Sequence, residues 1–176
     1  MALIVALSLA ACDAPTQAPQ TEALVPAETS APAPGPHGHG ATLYVPVYSS
    51  VYIAEGNQTF DLTVTLTVRN TDRDHPISVV LADYHDTAGK RVHAYVSEPT
   101  QLGPLASADI VVRESDTRAG VGGAFVVAWR AAADVTDPVV QGVMIGSGYQ
   151  QGISFLSEGR VIERPSSPGA VGQPTR

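Results

Sequence analysis

The chain has 176 residues, enough for one domain with extensions but too few for two independent cores. Seventeen acidic residues against ten basic ones give a formal net charge of −7, and Lys90-Arg91 is the only adjacent basic pair. That leaves no basic stripe to track phosphates, so no nucleic-acid partner is expected, and no cluster to dock on anionic lipid. The single cysteine, Cys12, excludes an intramolecular disulfide.

Ala2 to Ala11 is apolar except for Ser8. Ten helical residues span about 15 Å, half the hydrocarbon core of a bilayer, so the stretch is too short to cross. Residues 1–11 instead have the build of a signal peptide that ends in small residues. Leu9-Ala10-Ala11-Cys12 resembles the bacterial lipobox, in which cleavage precedes the cysteine and acyl chains are added to its sulfur and new amine. The resemblance implies lipidation at Cys12. Two or more chains, each stabilised by about 0.8 kcal/mol per buried methylene, make a lasting anchor. No Lys or Arg precedes the run, although such signals normally begin with positive charge; a start upstream of Met1 would account for this. Asp13 resembles the inner-membrane retention signal of enteric bacteria. The expected location is the cell envelope, with the bilayer as a partner through acylated Cys12.

Residues 12–42 are rich in Ala, Pro, Thr and Gln, without Lys, Arg or an aromatic ring. So little apolar surface cannot offset the entropy of ordering, so a disordered tether is expected. It reaches from about 30 Å as a coil to about 90 Å when extended. His37 and His39 near its end could contribute to a weak Cu(II) or Ni(II) site, with a flexible polar loop as the plain alternative. Residues 164–176 repeat the composition and read as a disordered tail.

A folded domain is expected over 43–163. Leu43 to Ile53 reads as extended, with Pro46 placing its first half at an edge or a bulge. Tyr44, Tyr48 and Tyr52 share one face of such a strand. Exposed, they could stack on sugar rings or anchor a protein; buried, they would pack the sandwich edge. Phe60 to Arg69 alternates: Phe60, Leu62, Val64, Leu66 and Val68 fall on one face and Asp61, Thr63, Thr65, Thr67 and Arg69 on the other. That is a strand with one buried and one wet face, ended by the turn formers Asn70-Thr71-Asp72.

Ile77 to His85 and Lys90 to Val96 read as a hairpin turned by Asp86-Thr87-Ala88-Gly89, with Gly89 left-handed. A bulged turn would set Asp83 opposite His93, with His85 close by. That is a possible metal half-site for Zn²⁺, and cross-strand charge pairing is the ordinary alternative. Further strands read as Ala108 to Glu114, Ala124 to Arg130, Val139 to Ile145, Ile153 to Leu156 and Arg160 to Glu163. Gly120-Val121-Gly122-Gly123 lacks the Lys-Ser or Lys-Thr of a phosphate loop. Gly146-Ser147-Gly148 lacks the spacing of a nucleophile elbow, so Ser147 reads as a turn residue. With no helical stripe, the domain is expected to be all-β, an immunoglobulin-like antiparallel β-sandwich with Trp129, Phe125 and Phe60 as large core residues.

Five runs appear in order: Tyr44-Val45-Pro46-Val47-Tyr48-Ser49-Ser50, Ala82-Asp83-Tyr84, Gly89-Lys90, Pro104-Leu105-Ala106-Ser107 and Gln151-Gly152-Ile153-Ser154-Phe155. Over 43–163 they resemble the bacterial family "domain of unknown function 3124". The resemblance implies a small bacterial protein, often exported, and carries no catalytic residues and no cofactor. The leading expectation is a tethered, non-enzymatic binding or accessory module whose partner is an envelope protein or a cell-wall glycan. A periplasmic metal-binding protein using His37, His39, His85 and His93 is the second expectation. An envelope enzyme is the third, since a fold alone excludes none.

Overall fold

The computed structural model describes residues 39–148 and 151–165. Cys12, Asp13, His37, the tether up to residue 38 and the tail beyond 165 lie outside the described residues. Twelve strands form in chain order, with no α-helix among the described residues. They are β1 (His39–Val47), β2 (Ser50–Ile53), β3 (Gln58–Asp61), β4 (Thr63–Arg69), β5 (Ile77–His85) and β6 (Arg91–Ala94). The second half is β7 (Thr100–Leu102), β8 (Ser107–Val112), β9 (Gly123–Ala131), β10 (Val139–Gly148), β11 (Gln151–Glu158) and β12 (Arg160–Glu163).

A six-stranded sheet runs β12-β1-β9-β5-β6, with β7 also pairing β5. A four-stranded sheet runs β11-β10-β4-β8, and β2 and β3 make a separate ribbon. Every pairing is antiparallel. The domain is thus all-β, and the expected sandwich is met as two antiparallel sheets packed on one core.

Period-two alternation puts that core together. β8 buries Ala108, Ile110 and Val112 and exposes the residues between them. β4 buries Val64, Leu66 and Val68. β9 lies between β1 and β5, and this central place explains why Phe125, Val127 and Trp129 are all fully enclosed. Each such side chain contributes about 1.5–3 kcal/mol on leaving water. Trp129 and Phe125 are the expected core residues, whereas Phe60 is only partly buried, at the margin of the core. Tyr84 joins them, stacked on Phe125 with ring centroids 4.8 Å apart.

Two runs expected to be single strands are broken. The extended stretch 43–53 divides into β1 and β2, because Ser49 is pinned from afar. Its backbone N–H and its hydroxyl both donate to the Gly120 carbonyl at 3.1 Å, and its own carbonyl accepts from Leu62 N–H at 2.9 Å. The same bond interrupts 60–69 at Leu62, dividing it into β3 and β4. Thr67, expected on the wet face, is buried. Pro46 keeps its edge character: β12 pairs β1 only through Thr42, Leu43 and Tyr44. Its carbonyl accepts from the Ser157 hydroxyl, so its missing N–H falls on the side where no β9 ladder bond is lost.

The turn after β4 is more than a breaker. Asn70 is buried, and its amide donates to the carbonyls of His75, Leu102 and Gly103 at 2.9, 3.2 and 2.9 Å. The Asp72 carboxylate accepts from the backbone N–H groups of Asp74 at 2.9 Å, Thr136 at 3.1 Å and His75 at 2.8 Å. Those donors hold its pKa down at about 2, below the ordinary 3.8. A value lower in the folded than in the unfolded chain contributes stability above about pH 4, and that contribution is lost as pH falls towards 2. We expect the urea midpoint to fall across that window and Asp72→Asn to flatten part of the slope. An unchanged slope in the variant would mean that other carboxylates carry the acid sensitivity.

Candidate functional site

Directly opposed residues on neighbouring strands point to the same face of a sheet, so the registers of the six-stranded sheet define its outer surface. Val126 of β9 is opposed by Tyr44 of β1 on one side and by Asp83 of β5 on the other. Arg160 of β12 lies beyond Tyr44, and Ala94 of β6 lies beyond Asp83. One row of five strands therefore reads Arg160, Tyr44, Val126, Asp83, Ala94. The next row towards one end carries Pro46, Ala124, His85 and Arg91. The next towards the other carries Glu163, Thr42, Ala128 and Leu81.

This surface has relief. Ala124 and Ala128 point outward yet are 2% and 6% exposed, because larger neighbours stand over them. They line β9 on this face beneath those neighbours, with Val126 half-buried between them. Tyr44, 41% exposed, stands on one side. Asp83 and His85 stand on the other, two strand spacings or about 10 Å away. The Asp83 carboxylate is held by Arg91 at 3.2 Å, and the His85 Nδ1 lies 3.3 Å from the Asp83 carbonyl. At one end Arg130 lies across Gly40, where a Cβ would come within 2.7 Å of its Cδ, and donates to the Trp129 carbonyl at 2.7 Å. Arg160 is exposed and takes part in none of the ion pairs among the described residues. An aromatic ring, a fixed carboxylate and guanidinium groups thus flank the covered small residues of β9. Such a set can stack on a ring and hydrogen-bond its substituents.

Of the tyrosines expected to act together, only Tyr44 belongs here. Tyr48 follows the end of β1 and packs against Phe155, edge to face at 5.7 Å. Tyr52, 63% exposed, sits on the β2–β3 ribbon opposite Thr59. The expected Asp83–His93 pairing is corrected. A bulge near Val92 puts Ala94 opposite Asp83 and His93 opposite Tyr84. His93 therefore points to the other face of the sheet from Asp83 and His85, and it packs edge to face on Tyr95 at 4.5 Å. The three are not gathered into one ligand set. His39 lies 3.3 Å from Asp134. Ser147 is also corrected: it is not in a turn but within β10, opposed by Gly152.

On the inner side of the same sheet, Tyr84 has a fully buried hydroxyl without a hydrogen bond of ordinary length among the described residues. Burial pushes its pKa up to about 12, while a looser side-chain contact with Ser49 works the other way. Asp116 beside it is locked to Arg118 at 2.7 and 2.6 Å, which lowers the carboxyl below its ordinary value.

No sequence signal marked Arg160, Arg91 or the outward alanines of β9 as companions of Tyr44. Their alignment depends on β9 inserting between β1 and β5, a non-local order that no local pattern states.

No curated protein matches the chain. Among solved structures, "Crystal Structure of Thermotoga maritima 1070" aligns with 12% identity, covering 68% of this chain and 92% of that one, at a TM-score of 0.44. The family described as "Protein of unknown function (DUF3124)" matches residues 40–162, which include all the strands of this sheet face, and the chain belongs to that family.

Proposed function

We propose that this protein is a membrane-tethered, non-enzymatic binding module that presents the outer face of the six-stranded sheet to a partner in the cell envelope. The observation that carries this is the placement of Tyr44 and Asp83 on either side of Val126, which joins residues 39 positions apart in sequence into one surface. The lipobox-like Leu9-Ala10-Ala11-Cys12 and the Pro-rich stretch after it support anchoring with room to reach.

The test is crosslinking in intact cells, with mass spectrometry of Cys12 and of the captured neighbours. Acylated Cys12 together with adducts mapped to the outer face of the six-stranded sheet is the expected result. A soluble chain with unmodified Cys12 would refute the anchoring. Adducts confined to other surfaces would refute the site. Tyr44→Ala should weaken capture and leave the melting temperature within about a degree, because an exposed ring carries little of the core. Tyr48→Ala should do the reverse and cost about 1–2 kcal/mol of stability, because it removes the packing on Phe155.

A further inference from the structure

We infer that β11 is the seat of a two-fold dimer, in which its free edge pairs antiparallel with the same edge of a second copy of this chain. The edge belongs to the four-stranded sheet, and the inference does not rest on the reading of the six-stranded one. The first support is a row of open backbone groups. Gly159 N–H donates to the Val140 carbonyl at 2.9 Å, one step beyond the Gln141–Glu158 pair. Hydrogen-bonded and non-hydrogen-bonded pairs alternate along an antiparallel ladder. The odd-numbered residues of β11 therefore bond to β10, and the N–H and C=O groups of Gly152, Ser154, Leu156 and Glu158 point away from it. β11 ends its sheet, and no hydrogen bond among the described residues takes these groups up.

The second support is what this edge lacks. Natural edges are blunted by charge, proline, bulges or brevity. Among the other strands that end the two large sheets, β7 has three residues. β6 and β12 have four each, with Arg91 on the one and Arg160 and Glu163 on the other. β8 carries Asp109 in its middle. β11 has eight residues in unbroken register with β10 and contains no lysine, arginine or proline; its sole charge, Glu158, is its last residue.

The third support is the register open to a second copy. Two-fold pairing about Phe155 sets Ser154 against Leu156 of the second copy and Gly152 against its Glu158. All four open residues then pair, and the one charge meets a glycine. Phe155 meets its own counterpart in a non-hydrogen-bonded pair, where side chains come closest. Leu156, 51% exposed, comes diagonal to its counterpart, and Ile153, 38% exposed, comes opposite Ser157 of the second copy. The pairing thus covers apolar surface that a monomer leaves in water. It also uses up the edge on both copies, so assembly stops at two. The chain's own tether is a poor occupant, because Pro15, Pro19, Pro26, Pro32, Pro34 and Pro36 lack the N–H that a ladder needs.

The experiment is sedimentation equilibrium of the full chain in density-matched detergent, up to about 100 µM, with amide hydrogen exchange on the same samples. A monomer–dimer equilibrium is expected. The Ser154 and Leu156 amides should exchange slowly in the dimer and freely on dilution, whereas those of Phe155 and Ser157, bonded to β10, should stay slow in both. Ser154→Pro removes an outward N–H and leaves the β10 ladder intact. It should weaken self-association by at least about tenfold with unchanged circular dichroism. Leu156→Lys, on the exposed face, should do the same by bringing like charges together, and it serves if the proline disturbs the strand. A chain that stays monomeric with freely exchanging Ser154 and Leu156 amides would overturn the dimer. Slow exchange of those amides in a monomer would show that a segment of the same chain covers the edge, and would overturn it equally. A dimer in which they exchange freely, or one that survives both variants, would overturn β11 as its seat.

Discussion

Gly146→Ala should destabilise the domain by about 2–3 kcal/mol, the cost of forcing extra volume into a packed core. Gly146 lies in β10 with its face turned inward. A Cβ there would stand 2.3 Å from Cε1 of Phe60, 2.7 Å from Cδ2 of Leu62 and 2.9 Å from the Asp61 carbonyl oxygen. The ring could swing aside, but the carbonyl belongs to the β3–β4 junction and Leu62 is fully enclosed, so relief requires moving backbone. The partner glycine Gly148 has the same ring 2.9 Å from its notional Cβ. The Gly-Ser-Gly run is therefore the seat of Phe60, and a catalytic serine is not needed to explain it. Urea unfolding measures the effect, with Gly152→Ala as the control. Its Cβ would meet only the Gly146 carbonyl, at an ordinary 3.6 Å, and it should change stability by less than about 0.5 kcal/mol. Equal effects at both positions would mean that strand propensity, not the contact with Phe60, sets the cost.

Tyr84→Phe should stabilise the domain by about 1–2 kcal/mol, an uncommon sign for a core substitution. The phenol is fully buried, and among the described residues its oxygen makes no hydrogen bond of ordinary length, the Ser49 hydroxyl acting on it only through a looser contact. A buried, unmatched polar group carries a desolvation penalty of about 1–3 kcal/mol, and phenylalanine removes it while keeping the stacked ring on Phe125. Tyr84→Ala separates ring from hydroxyl: losing the ring should cost about 3–5 kcal/mol. Chemical denaturation of the three forms checks both signs. A loss of stability in Tyr84→Phe would show that the hydroxyl has a partner, with a buried water near Ser49 as the first place to look.

The Asp72 loop illustrates how local chemistry and distant contact combine. Asn70-Thr71-Asp72 is recognisable as a turn from its residue types. That the Asp72 carboxylate also captures Thr136 N–H, and that Asn70 reaches Leu102 and Gly103, depends on loops that meet only when both sheets are assembled.

The all-β class, most strand positions, the Gly89 turn and the inward set of β4 are legible in the amino-acid sequence, because each follows from side-chain parity or a turn residue within a few positions. Gly89 indeed adopts φ +78°. The sequence also marked Trp129 and Phe125 as core, because large apolar side chains on alternating strands have few other places to go. It marked Tyr44 in one set, with Tyr48 and Tyr52, and Asp83 and His85 in another, with His93, without relating the two sets. Parity says which residues share a face of one strand and is silent on which strand comes next to it. The assembled sheet alone places β9 between β1 and β5, which sets Tyr44 across Val126 from Asp83. Only it decided that Ser49 would bind Gly120 and break a run that alternates without interruption. A one-residue bulge near Val92, equally non-local in origin, sent His93 to the opposite face from Asp83. Strand order and register come from the sum of contacts across the whole core, and no window of the chain contains that sum.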